Sequence, residues 1–143
     1  MKSVYIIGSL ANPEIVPLAN RLRAQGLDVF DDWISGGSEC DRRWEEYEKA
    51  RGRSFIEALQ GYHAKHVFEF DKFHLDRCDV VVMVMPCGKS GWAEMAYTRG
   101  RGKPAYILAT EDISRFDVMI QFCTKIFTNE ADLVSVLKEE HVL

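Results

Sequence analysis

Residues 80–85, Val-Val-Val-Met-Val-Met, are apolar at every position, without the period-two alternation of a half-exposed strand. A strand of that kind is buried on both faces, and its usual setting is the middle of a parallel sheet covered by helices. Residues 4–7, 27–30, 103–109 and 125–127 read as further short strands rich in β-branched and aromatic side chains. Helical patterns fall between them. Asn12-Pro13-Glu14 has a capping side chain, a Pro at the first helical position and an early acid, and Ile15, Leu18 and Leu22 follow at helical spacing up to Gly26. Residues 41–60, 63–77, 92–99, 114–121 and 130–139 complete the helical set, with Gly52 weakening the first of these. Strand and helix alternate throughout, which predicts an α/β fold: a single-domain, Rossmann-like or flavodoxin-like, parallel five-stranded sheet with helices on both faces. The 143 residues suit one domain spanning 1–143 and leave no room for separate cofactor and substrate domains.

Charge and composition narrow the function. Eighteen Lys and Arg against twenty-two Asp and Glu leave a net charge of −4, which gives no footprint for a nucleic-acid polymer. The longest apolar run is far short of the ~20 residues that span a bilayer. Met1 to Gly8 carries one positive charge and no small-residue cleavage site, so no signal peptide is expected. Cys40, Cys78, Cys87 and Cys123 are scattered, without CxxC spacing, and read as free thiols of a cytoplasmic protein.

In open parallel sheets ligands bind beyond the carboxyl ends of the strands. That rule selects the loops after Ile7, Phe30, Met85 and Ala109. The first, Gly8-Ser9-Leu10-Ala11-Asn12, leads into a helix N-terminus, where an anion or a hydroxyl-rich group is favoured. Asp31 ends the second strand. Gly88-Lys89-Ser90 suggests a phosphate loop, but GxxxxGK[ST] needs a glycine where Met83 stands. Cys87 fails as a phosphatase nucleophile, because the arginine six residues on is Ala93. Glu94 falls in the first turn of the next helix, where the dipole favours a carboxylate and where it also faces the crevice above the central strand. Asp79 opens that strand and would meet Glu94 only if the chain before it folded toward the site. His63, His66 and His74, with Glu69 and Asp71 nearby, lack the i,i+4 spacing of HExxH, so no metal is expected. The arginines and glutamates between Arg42 and Arg53 read as a solvated, salt-bridged face.

Three pieces resemble the nucleoside 2-deoxyribosyltransferase superfamily, which includes 2′-deoxynucleoside 5′-phosphate N-hydrolases. The first is Val4-Tyr5-Ile6-Ile7-Gly8-Ser9. The second runs from Cys78-Asp79-Val80 through Ser90-Gly91-Trp92-Ala93-Glu94-Met95-Ala96-Tyr97 to Gly102-Lys103-Pro104. The third is Asp117-Val118-Met119-Ile120. The resemblance implies glycosidic chemistry with Glu94 as the nucleophile on the anomeric carbon, a role that suits a carboxylate facing an oxocarbenium-like transition state. It further implies that Asp79 positions sugar hydroxyls or assists the leaving base and that Tyr5 orients Glu94. Gly8, Ser9, Ser90 and Gly91 would contact the sugar or a 5′-phosphate. Trp92 would cover the base or narrow the pocket, base recognition would come from residues 33–77 through His63, His66 or His74, and Asp31 would be a further substrate contact. Asp117 and Met119 would enter a neighbouring subunit's site, making the unit a homodimer or larger. Ala96 stands where the family usually has Gly, and Asp117 where it usually has Asn or Ser. No cofactor is needed, and the partner is a small nucleoside or nucleotide. The expected activity is cleavage or transfer at an N-glycosidic bond. The alternatives are an NAD- or signalling-nucleotide glycohydrolase, and a non-catalytic nucleotide-binding module in which Glu94 only satisfies the helix dipole.

Overall fold

The computed structural model describes residues 2–111, 113 and 117–141. Its elements are β1 (Ser3–Ile7), α1 (Ile15–Ala24), β2 (Asp28–Phe30), α2 (Cys40–Ala50), α3 (Phe55–Leu59), α4 (Tyr62–Arg77), β3 (Val80–Val84), α5 (Lys89–Gly100), β4 (Ala105–Leu108), β5 (Lys125–Phe127) and α6 (Glu130–His141). Short 3-10 turns follow β2 (Asp32–Gly36) and precede β5 (Val118–Phe122). The strands form one parallel sheet in the order β2-β1-β3-β4-β5, as the alternation predicted. Every residue of β1 and β3 is buried, which is why neither strand alternates polar with apolar.

The pleat sends alternate side chains into two cores. Val4, Ile6, Val80 and Val82 pack against Leu18 and Leu22 of α1 and Leu133 and Leu137 of α6. Tyr5, Ile7, Val81 and Met83 pack against Leu75 of α4 and Met95 of α5. From β1 the chain crosses one way to β2 and later the other way to β3, so the topological switch point lies at the carboxyl end of β1. Tyr5 points to the α4–α5 side of that point.

Three expectations are revised. The helix expected over 41–60 is two helices. Gly52 turns the chain with φ +71°, a left-handed conformation suited to glycine. Ser54 then restarts it with a capping box, its hydroxyl accepting from the Glu57 N–H and the Glu57 carboxylate accepting from the Ser54 N–H. The supposed solvated face of α2 is exposed at Arg42–Glu46 and Lys49–Glu45, but Glu48 is only 3% exposed. Its carboxylate pairs with Arg53 at 2.8 Å and Arg51 at 3.6 Å and ties α2 to the chain that follows. Finally, the helix expected over 114–121 appears as the turn Val118–Phe122, capped by Asp117, whose carboxylate accepts from the Met119 N–H at 2.9 Å; residues 114–116 lie outside the described set.

Candidate active site

Helix α5 begins at Lys89, three residues before the expected start, with Gly88 as its N-cap. Glu94 is therefore the sixth residue of the helix, in the second turn and not the first. The dipole effect fades within the first turn, so it does not account for a carboxylate at this depth. Gly91, one turn earlier, presses on the sheet: a Cβ there would lie 2.2 Å from Cys87 Sγ and 3.0 Å from Ile7. That approach sets Glu94 above Tyr5, whose hydroxyl donates to the Glu94 carboxylate.

The second carboxylate at this point is Asp71, on the inward face of α4. Its charge acts on both Glu94 and Tyr5. Burial raises Glu94 to about 7; the hydrogen bond from Tyr5 opposes the rise and the Asp71 charge adds to it. Burial also raises Asp71 to about 6. Tyr5 is driven far above its ordinary range, mainly by burial and then by the Glu94 charge, so it stays a hydrogen-bond donor at any working pH. Farther down the helices the Tyr97 hydroxyl donates to Asp76 at 2.5 Å, and the Lys103 ammonium donates to the Asp76 carbonyl. These bonds fix α4 beside α5. Tyr5, Asp71 and Glu94 therefore interact in the groove where the two helices meet over β1.

Asp79 lies elsewhere. It is exposed at the amino edge of the sheet, where its carboxylate accepts from the Ser3 N–H at 2.9 Å and its own N–H donates to the Ser3 carbonyl. It holds the start of β1 against β3 and does not join Glu94. The sequence placed Asp71 only in a discarded metal set. Its signal was spacing: with Leu75 and Cys78 it lies at i, i+4 and i+7, on the buried stripe of its helix.

The other expected site residues divide. Gly8 packs against Ile15 and Trp33 at the end of β1, and Trp33 Nε1 donates to the Ile6 carbonyl at 2.7 Å. Ser9 Oγ accepts from the Ala11 N–H, closing the first loop. Ser90 is exposed on α5, one turn above Glu94. Asp31 is buried and paired with Arg23 of α1 at 2.6 Å, so it faces away from the groove. The His74 ring stacks on Phe30 at 4.0 Å, and its Nδ1 accepts from Arg77 Nε; Phe30 in turn meets Tyr5 at 5.1 Å, which makes His74 a buttress behind Tyr5. Trp92 and Asp117 line a separate cavity of about 720 Å3 above β3 and β4, together with Cys87 and Glu111. Glu94 does not line that cavity, although Cys87 stands between the two: its thiol is pushed up to about 11 by burial and by the Glu94 charge. Met119 is 58% exposed, and its N–H donates to the Asp117 carboxylate. Among the described residues no three His, Cys, Asp or Glu side chains converge as metal ligands. None of the described helices is long and apolar enough to cross a membrane.

No family model matches the sequence, and no curated protein matches it. Solved structures do match. A 2-deoxyribosyltransferase from Bacillus psychrosaccharolyticus superposes over 92% of this chain and 90% of its own, with a TM-score of 0.62 and 16% identity. The chain has the 2-deoxyribosyltransferase fold. A conserved protein from Enterococcus faecalis matches over 97% and 98%, with a TM-score of 0.66 and 13% identity. A CMP N-glycosidase from Clostridium botulinum matches over 95% and 98%, with a TM-score of 0.55 and 15% identity. Two of these three neighbours act on N-glycosidic bonds, and the 2-deoxyribosyltransferase fold of this chain brings Glu94, Asp71 and Tyr5 together at its switch point.

Proposed function

We propose that the protein cleaves or transfers at the N-glycosidic bond of a nucleoside or nucleoside 5′-monophosphate, with Glu94 as the nucleophile. The observation that carries this reading is the pairing of Glu94 with Asp71 over the Tyr5 hydroxyl. Both carboxylates are partly withdrawn from water and hold their protons into the near-neutral range, so the pair shares one proton there, and the form with Glu94 ionised and Asp71 protonated is the one that reacts. Glu94, ionised, attacks C1′ and forms a glycosyl ester as the C1′–N bond breaks. The bond's electron pair leaves with the base, and a proton passes to the base from the Asp71 carboxyl. Water, or a second base, then attacks C1′; Asp71 takes up the proton released by the incoming group, and the Glu94 carboxylate is restored. Water gives hydrolysis, and a base gives transfer. Tyr5 holds the Glu94 oxygen through one donated hydrogen bond, which orients it and keeps part of it ionised near neutral pH.

The same reading has the chain work as a homodimer or larger, with Asp117 and Met119 at the edge of a neighbour's groove and Ser90 beside the sugar. Neither a metal nor a redox cofactor enters the scheme. Its test is base release from a panel of nucleosides and 5′-monophosphates, followed by chromatography for the wild type and Glu94→Ala. The variant is expected to release no base; turnover equal to the wild type removes the proposed nucleophile.

A further inference from the structure

Helix α4 extends beyond the sheet. Its C-terminal half packs through Leu75 and Cys78, whereas residues 65–70 are all exposed. The face that carries Asp71 continues into that free half. On a helix, positions three and four apart share a face, so Phe68 and Val67 stand one turn above Asp71. The two differ in direction. His74, at i+7 from Val67, stacks on Phe30 of β2, so Val67 leans toward the β2 side. Lys72 and Asp76, at i+4 and i+8 from Phe68, meet Tyr97 of α5, so Phe68 leans toward α5. Phe68 is 65% exposed; Phe55 and Phe73 are as exposed, at 66% and 63%, but of the three Phe68 is the one that stands a single helical turn from Asp71.

We infer that Phe68 is the platform on which the leaving nucleobase stacks, one helical turn above the Asp71 carboxyl that gives the base its proton. The inference rests on the proposed glycosidic reading and adds to it the residue that holds the base. A flat aromatic ligand covers the exposed Phe68 ring, and its edge then faces Asp71 while its sugar reaches Glu94. Stacking accepts any base, because every base has a π-face, so Phe68 contributes affinity and the groups around it choose among bases.

The test compares Phe68→Ala, Phe68→Trp and, as a control on the outer face of the same helix, Tyr62→Ala; Tyr62 is 95% exposed. Two quantities are measured: KM and kcat for base release from the four common deoxynucleosides, and the dissociation constants of free adenine and cytosine. Phe68→Ala is expected to weaken base binding and raise KM by about 5- to 100-fold, the usual effect of removing a stacked aromatic. Phe68→Trp is expected to retain wild-type affinity, and Tyr62→Ala to match the wild type. Because Phe68 is exposed, the fold survives its truncation, and an unchanged melting temperature checks this. Base binding and KM that stay within twofold in a folded Phe68→Ala protein overturn the inference, and they leave the Glu94 reading intact if Glu94→Ala is inactive. Weakened base binding in Phe68→Ala alongside an active Glu94→Ala protein keeps the platform and overturns the nucleophile. Failure of the wild type to bind either base overturns the platform and leaves the nucleophile to the Glu94→Ala assay.

Discussion

Helix α5 sits so close to Ile7 of β1 and to Cys87 that a Cβ on Gly91 would run into the Cys87 thiol, whereas α4 touches the sheet along one half and holds its other half in solvent. Each supplies one carboxylate to the groove. Glu94 is therefore fixed by the core, through Gly91, Met95 and the hydrogen bond from Tyr5. Asp71 depends on how α4 is held, and that depends on cross-links at the ends of the helical region: Asp76 with Tyr97 and Lys103 at one, Glu48 with Arg53 at the other. In the proposed scheme the rigid helix carries the group that attacks carbon, and the partly free helix carries the proton donor and, one turn up, the surface for the base. Binding groups on mobile segments and bond-forming groups on packed elements are a common division of labour.

The difference between the helices can be probed from the strongest effect to the weakest. Glu94→Gln is expected to lower the rate of base release by about 10³-fold or more, the scale seen when a covalent nucleophile is removed. Trapping in a single turnover followed by mass measurement should find the glycosyl adduct on the wild type and not on the variant. Tyr5→Phe removes one hydrogen bond to an ionised group and is expected to cost about 10- to 100-fold in rate. It should also move the acidic limb of the rate profile to higher pH, because that bond lowers the Glu94 proton affinity. Glu48→Gln leaves the Arg53 guanidinium without its charge partner. It is expected to destabilise the protein by about 3 kcal/mol. Hydrogen exchange should show that loss first in α2 and α3, with β1 and α5 still protected.

The smallest effect is on the pH dependence of stability. Glu94 and Asp71 bind protons more tightly folded than unfolded, so each favours the folded state most below about pH 4. That contribution is lost as pH rises through about 6 for Asp71 and about 7 for Glu94. Glu94→Gln cannot ionise there, so its melting temperature is expected to fall less than that of the wild type between pH 5 and 8.

Much of this architecture was legible in the residues. The unbroken apolar run at residues 80–85 and the glycine-ended helices gave the parallel sheet, and Glu94 stood out at its carboxyl end, while Tyr5 came only with the family resemblance. What escaped was decided by tertiary context. Asp79 precedes the strongest strand and was joined to the site only through the family resemblance, whereas an aspartate before a strand can accept the neighbouring strand's first N–H, and here it does. Asp71 was hidden because a lone carboxylate on a helix full of charges looks like a surface residue until the packing of Leu75 and Cys78 shows which face is inside. The break at Gly52 and Ser54 was written locally, as a glycine followed by a capping box, and a continuous helical pattern masked it.

The account's central claim is that Asp71 and not Asp79 is the partner of Glu94. The direct measurement is the pH profile of base release for Asp71→Asn and Asp79→Asn, run side by side with the wild type. Asp71→Asn is expected to lose about 10²- to 10³-fold in rate, the range for a positioned acid–base group. It should also lose the basic limb of the profile, which in the wild type reports loss of the proton that Asp71 gives to the base. Asp79→Asn keeps a carbonyl to accept the Ser3 N–H and is expected to keep the wild-type profile. A large loss in Asp79→Asn with full activity in Asp71→Asn would contradict the account.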